Sequence, residues 1–114
     1  MTPSEPTAQV ELSGDLDLSR AKALYGELRA FIGVPRIVIN CANATFIDSS
    51  ILTVFMRFRR QFAEAGGDPH EIIVVVPPKL RRIFEISGLA KTMTIVTMAE
   101  RPSRSDEKDP SIIE

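Results

Sequence analysis

A lone cysteine, a lone histidine and no tryptophan limit the chemistry of this sequence before any motif is read. Cys41 has no second cysteine to bridge, so a disulfide framework within the chain is excluded. That fits a reducing compartment, and a cytoplasmic location is expected. Cys41 sits in an apolar stretch and reads as a small buried apolar residue, not a redox switch. His70 stands beside Pro69 and reads as a solvated turn residue. A zinc site needs more ligands than this chain offers, and a catalytic triad needs a histidine aimed at a nucleophile. Charge of one sign is also lacking: the net charge is −1, so no global field draws nucleic acid or an anionic membrane. No apolar run approaches the roughly 20 residues that span a bilayer. Residues 1–8 have no apolar core of the kind a secretory signal carries. Neither the GxxxxGKS/T nor the GxGxxG nucleotide fingerprint is present. Asp15, Asp17 and Asp48 read as acidic turn residues before they read as metal ligands. Arg57, Arg59 and Arg60 form one basic cluster, and Lys79, Arg81 and Arg82 another. Without aromatic interleaving these read as solvated faces. Nothing in this inventory supports an enzyme, and no cofactor or metal is expected.

What is present suffices for one domain. The 114 residues are 44% hydrophobic and 25% charged, enough to close one core and too few for two. Residues 1–8 are rich in Pro, Thr and Ser and are expected to be disordered. Residues 9–98 are expected to form the domain, and the polar, proline-bearing residues 99–114 a disordered tail.

Gln9-Val10-Glu11-Leu12-Ser13 alternates polar and apolar, as a half-buried strand does. Gly14 reads as its breaker and Asp15-Leu16-Asp17 as a turn, with Asp17 or Ser19 as the N-cap of a helix. Ala21, Leu24, Leu28 and Phe31 fall on one helical stripe, and Gly33 is suited to a left-handed C-terminal position. Residues 36–41 read as a second strand. Ile37-Val38-Ile39 is continuously apolar, which predicts cover on both faces. A short polar loop leads to a helix from about residue 50 to residue 65, stopped by Gly66-Gly67-Asp68-Pro69. Residues 71–76 make a third apolar strand. Pro77-Pro78 opens a third helix, whose inner face takes Leu80, Ile83, Phe84 and either Ile86 or Ser87. Gly88-Leu89 closes that helix, and residues 93–97 form a short fourth strand. The order β-α-β-α-β-α-β predicts an α/β domain with a small mixed, mostly parallel sheet of four or five strands carrying helices.

Asp48-Ser49-Ser50 lies where the second strand hands over to the second helix. The first backbone N–H groups of a helix have no partner within it, and the dipole is positive at that end. Such a position holds negative charge well, including a phosphate on a serine. Asp48 or Ser49 can equally serve as an ordinary N-cap there. The helix that follows carries two apolar stripes. One contains Leu52, Phe55 and Met56 with Phe62 or Ala63; the other contains Ile51, Val54, Phe58 and Phe62. An outer helix of a small sheet needs only one. Either neighbouring helices cover the second stripe or it faces a partner.

Five strings in order carry a family resemblance. They are Leu12-Ser13-Gly14-Asp15-Leu16-Asp17, Ile37-Val38-Ile39-Asn40, Phe46-Ile47-Asp48-Ser49-Ser50, Gly66-Gly67, and the run from Leu80 through Arg81, Arg82, Ile83, Phe84, Glu85, Ile86, Ser87 and Gly88 to Leu89. Together they resemble the STAS domain of bacterial anti-sigma factor antagonists, over about residues 10–97. The resemblance implies a compact α/β fold and a partner-switching role in transcription regulation. The antagonist of that family binds an anti-sigma factor that is also a serine kinase, which frees the sigma factor. The kinase phosphorylates a serine at the helix start, the complex dissociates, and a phosphatase resets the cycle. Carried over by position, Ser50 is the acceptor and Ser49 the second choice. Asp48 matches the motif aspartate and Asp17 the acidic residue of the first turn. The implied partner surface comprises Asp17, Asp48, Ser49, Ser50, Ile51, Val54 and Phe58, with no nucleic acid and no membrane insertion, and with an oligomer left open. The family usually has glycine after the acceptor serine; here it is Ile51, whose branched side chain is expected to crowd an approaching kinase. That substitution favours an alternative, a non-phosphorylated STAS regulatory subunit of an ABC-type lipid transport complex. The short segment before Val10 also implies that the family's first edge strand is truncated, leaving residues 9–13 at a sheet edge.

Overall fold

Ile37-Val38-Ile39-Asn40 runs parallel to Ile72-Ile73-Val74-Val75, and these two strands are the middle of a four-stranded sheet. The computed structural model describes residues 7–97, and the structural statements below concern those residues. The assignments expected for residues 1–6 and 98–114 lie outside them. The elements follow in order: β1 (Thr7–Leu16), α1 (Leu18–Arg29), β2 (Arg36–Ile47), α2 (Ser49–Glu64), a single 3₁₀ turn (Pro69–Glu71), β3 (Ile72–Val76), α3 (Pro78–Ser87), α4 (Leu89–Thr92) and β4 (Thr94–Thr97). The sheet order is β1-β2-β3-β4, and every pairing is parallel. The α/β class is as expected, with four strands and no antiparallel member among the described residues.

Several boundaries differ from the expected ones, each for a local reason. β1 begins at Thr7, ahead of the strand start expected at Gln9. Gly14 does not end β1. It takes φ 75° at a register shift, and Asp15 and Leu16 go on to pair with Phe46 and Ile47. A glycine in the left-handed region lets a strand bulge and continue. β2 likewise runs on from Cys41 to Ile47, through what reads as a polar loop. The Asn40 side chain accepts from the Ala42 N–H at 2.9 Å, next to the first register shift. Helix α1 ends at Arg29 with Ala30 as a right-handed cap. Phe31 therefore lies beyond the helix, and Gly33 (φ 104°) closes the following turn instead of capping it. Ile86 points to solvent, 73% exposed, and α4 is an additional turn of helix after Gly88.

The core lies on one face of the sheet. Ile37, Ile39 and Cys41 of β2 and Ile72, Val74 and Val76 of β3 are fully buried there. Burial pushes the Cys41 thiol up to about 12, which keeps it protonated. The alternate residues Val38, Asn40, Ile73 and Val75 are only half-buried, so the two-sided cover expected of β2 and β3 is not present among the described residues. Val10, Leu12 and Leu16 of β1 and Ala44 and Ile47 of β2 are buried with them, and the helices supply most of the remaining core. The Phe55 ring of α2 stacks on Phe84 of α3 at 5.9 Å, and Phe58 meets Phe62 at 5.6 Å. All four rings are buried, and each contributes ~1.5–3 kcal/mol by leaving water.

Candidate functional site

Because β1 and β2 are parallel neighbours, the helices that follow them start side by side at one end of the sheet. Both starts use the same device. Asp17 caps α1: its Oδ1 accepts from the Ser19 N–H at 3.1 Å and from the Ser19 hydroxyl at 2.6 Å. Asp48 caps α2: its Oδ1 accepts from the N–H groups of Ser50 (3.0 Å) and Ile51 (3.3 Å), and the Ser50 hydroxyl donates to the same oxygen. The other oxygen of Asp48 accepts from the Leu18 N–H at 3.1 Å, and the Asp48 N–H donates to the Leu16 carbonyl at 3.1 Å. Asp48 thus ties the start of α2 to the start of α1. The Ser50 hydroxyl, ahead of these backbone donors, holds its carboxyl below the usual carboxylate range, against a smaller opposing effect of desolvation. Nearby, Thr45 Oγ1 donates to Asp15 Oδ1 at 2.6 Å, and the Arg20 guanidinium donates to the carbonyls of Ser13 (3.2 Å) and Asp15 (3.3 Å). The surrounding turn is therefore held in place.

The cap reading and the modification reading of Asp48-Ser49-Ser50 divide between residues. Asp48 is the cap, and Ser49 and Ser50 are the first two residues of the helix. Ser49 is exposed, whereas Ser50 is half-buried with its hydroxyl oriented by Asp48. A phosphate on Ser50 would remove that hydroxyl donor and set a dianion beside a carboxylate that stays ionised. The positive end of the α2 dipole would offset part of that repulsion.

Asp17, Asp48, Ser49 and Ser50 are brought together at this end of the sheet. Ile51, Val54 and Phe58 are not on its surface. Ile51 and Phe58 are fully buried and Val54 is 6% exposed, because α1 lies alongside α2 and covers the second apolar stripe. The stripe is packed into the core, and of its residues only Val54 also lines the groove between α1 and α2. The Ile51 side chain also points away from the approach to Ser50, so it does not crowd that approach as expected from its position after the serine. Two apolar residues that the pattern did not reveal stand exposed instead. Leu18 is 72% exposed and Phe46 48%. Leu18 is bonded to Asp48 through its backbone, and Phe46 lies on β2 opposite Asp15, two residues before Asp48. Phe46 interrupts the in-out order of a strand whose Ala44 and Ile47 face the core. That break is the one signal in the sequence that could have marked it. Among the described residues, no group of three or more His, Cys, Asp or Glu side chains gathers as metal ligands would.

A family model described as "Mlab, STAS domain" matches residues 2–97. Two solved structures are similar over most of the chain. One is the anti-sigma factor antagonist SpoIIAA in its unphosphorylated form: 26% identity, 86% of each chain covered, TM-score 0.65. The other is the Bacillus cell fate determinant SpoIIAA in the phosphorylated form: 26% identity, 86% of this chain and 89% of that one covered, TM-score 0.60.

Proposed function

The chain belongs to the STAS domain family, and from that premise we propose that it is an anti-sigma factor antagonist. It binds an anti-sigma factor that is a serine kinase, releases a sigma factor in a bacterial cytoplasm, and is switched off by phosphorylation of Ser50. The observation that carries this reading is the placement of the Ser50 hydroxyl. It is held by Asp48 at the N-terminus of α2, beside the exposed side chains of Leu18 and Phe46. Leu18 and Phe46 offer a partner apolar contact area near the Ser50 hydroxyl.

In the switching step the Ser50 oxygen attacks the γ-phosphorus of ATP held by the partner. The bond from that phosphorus to ADP breaks, and the serine proton leaves. The partner supplies the catalysis, so the chain itself is not an enzyme. Phosphorylation adds a charge of about −1.5 to −2 at neutral pH. A partner face packed over Ser50 would then meet a dianion next to the Asp48 carboxylate. A loss of ~3–4 kcal/mol weakens binding a few hundredfold, enough to separate the partners without refolding either. A phosphatase restores the hydroxyl.

A second reading makes the chain a non-phosphorylated regulatory subunit of an ABC-type lipid transport complex. One observation favours it: the matching family model carries the description Mlab, not that of an antagonist. Pull-down from the native cytoplasm followed by mass spectrometry separates the two. Recovery of a serine-kinase-type anti-sigma factor, lost on Ser50→Asp with the thermal midpoint nearly unchanged, supports the antagonist. Recovery of a transporter ATPase that Ser50→Asp does not displace supports the subunit.

A further inference from the structure

The proposed switch uses the ends of α1 and α2 but leaves the seam between them unexplained. A groove of about 320 Å³ opens along that seam, with Ser50 on its wall. Ala21, Tyr25 and Val54 line it with apolar surface, and Lys22 and Arg57 line it with charge. The Arg57 guanidinium lies over the Tyr25 ring at 4.5 Å. No carboxylate lines the groove, and among the described residues neither Lys22 nor Arg57 is in an ion pair. The same Arg57 also lines a second cleft further along α2, with Arg60 beside it and one carboxylate, Glu64. In a chain whose net charge is −1, this basic track is a local arrangement and not a consequence of composition.

We propose that the groove docks an acidic, amphipathic segment of the protein partner. Its apolar side chains rest between Tyr25 and Val54, and its carboxylates meet Lys22 and Arg57. A flat cation-π pair such as Arg57 on Tyr25 presents both an apolar surface and a charge to such a segment. The regulation of this docking rests on the reading of Ser50 as the switch. A phosphate on Ser50 enters the groove from its wall, engages Lys22 and Arg57 from within the chain, and repels the incoming carboxylates. Phosphorylation then dislodges the partner along the groove as well as at the serine itself.

Three synthetic helical peptides test this. They share one apolar face and differ only in flanking residues that are all Glu, all Gln or all Lys. Each is titrated into the isotope-labelled full chain and followed by NMR. The Glu peptide is expected to shift the signals of Lys22, Tyr25 and Arg57 and to bind at least about tenfold more tightly than the Gln peptide, equivalent to ~1.4 kcal/mol. Its affinity falls as salt rises, and the Lys peptide does not bind. Because Lys22 and Arg57 are exposed, the double variant Lys22→Glu/Arg57→Glu keeps its thermal midpoint and reverses the preference to the Lys peptide. Ser50→Asp weakens the Glu peptide. Equal binding of all three peptides, shifts mapping elsewhere, or shifts at Lys22 and Arg57 with phosphatidylglycerol vesicles but with no peptide would overturn the proposal. If the peptide order holds but Ser50→Asp leaves it unchanged, the groove stands and the Ser50 switch falls.

Discussion

Asp48 is the residue on which the site turns, because one carboxylate serves two helix starts. Its carboxyl is held below the usual value of 3.8, so ionisation favours the folded state. The stabilisation is complete above the unfolded-state value and is lost as pH falls through the lowered folded-state value. Asp48→Asn is therefore expected to lower the thermal midpoint at pH 7, with the gap to the unaltered chain closing as the pH drops below about 4. Melting curves across that range check it; a gap independent of pH would mean that the charge of Asp48 does not matter. Ile51 gives a second test at this scale. As a fully buried residue, Ile51→Val should cost ~0.5–1.5 kcal/mol and Ile51→Ala ~2–5 kcal/mol in urea unfolding. If Ile51 were a surface obstacle to a kinase, both substitutions would be nearly neutral for stability. The Asp48-Ser49-Ser50 motif was legible in the sequence, and so was its capping chemistry. The direction of the Ile51 side chain was not, since two apolar stripes on one helix read the same whether a neighbour or a partner covers the second.

Helix α2 shows what an element-level reading gains from its surroundings. Its length and its stop at Gly66-Gly67 were readable, and the structure adds why two glycines stand there. Gly66 takes φ 98°, a left-handed conformation that suits glycine. Gly67 is needed for a different reason: a Cβ at that position would lie 2.5 Å from the Phe62 ring and 3.0 Å from the Phe62 carbonyl oxygen. Phe62 is buried, so it has little room to give way. Gly67→Ala is expected to destabilise by ~1–3 kcal/mol through overpacking, whereas an alanine at exposed Gly26, inside α1 with open space around it, should stabilise by ~0.5–1 kcal/mol. Chemical denaturation of the two variants compares them directly. The extension of β2 to Ile47 was not legible. Asn43, Thr45 and Phe46 are exposed and break strict alternation, and only pairing with β1 across two register shifts makes that stretch a strand.

For the whole molecule, parallel topology explains why the candidate site exists. Parallel strands β1 and β2 end together, so α1 and α2 begin together, and Asp17, Leu18, Phe46, Asp48 and Ser50 meet without any long loop. The alternation of strands and helices made that topology readable, and the five family strings made the STAS family readable. The open second face of β2 and β3 was not, because a continuously apolar strand looks the same with one face covered or two. No described helix is long and apolar enough to cross a membrane. The most direct test of the proposed switch is to incubate the full chain with the proposed kinase-type anti-sigma factor and ATP. The modified residue is mapped by peptide mass spectrometry, and the affinity of the complex is measured before and after. One phosphate on Ser50, a few-hundredfold loss of affinity and a chain that stays folded with a thermal midpoint lowered only slightly are expected. No phosphate on Ser50 or Ser49, or a phosphorylated chain that still binds as tightly, would contradict it.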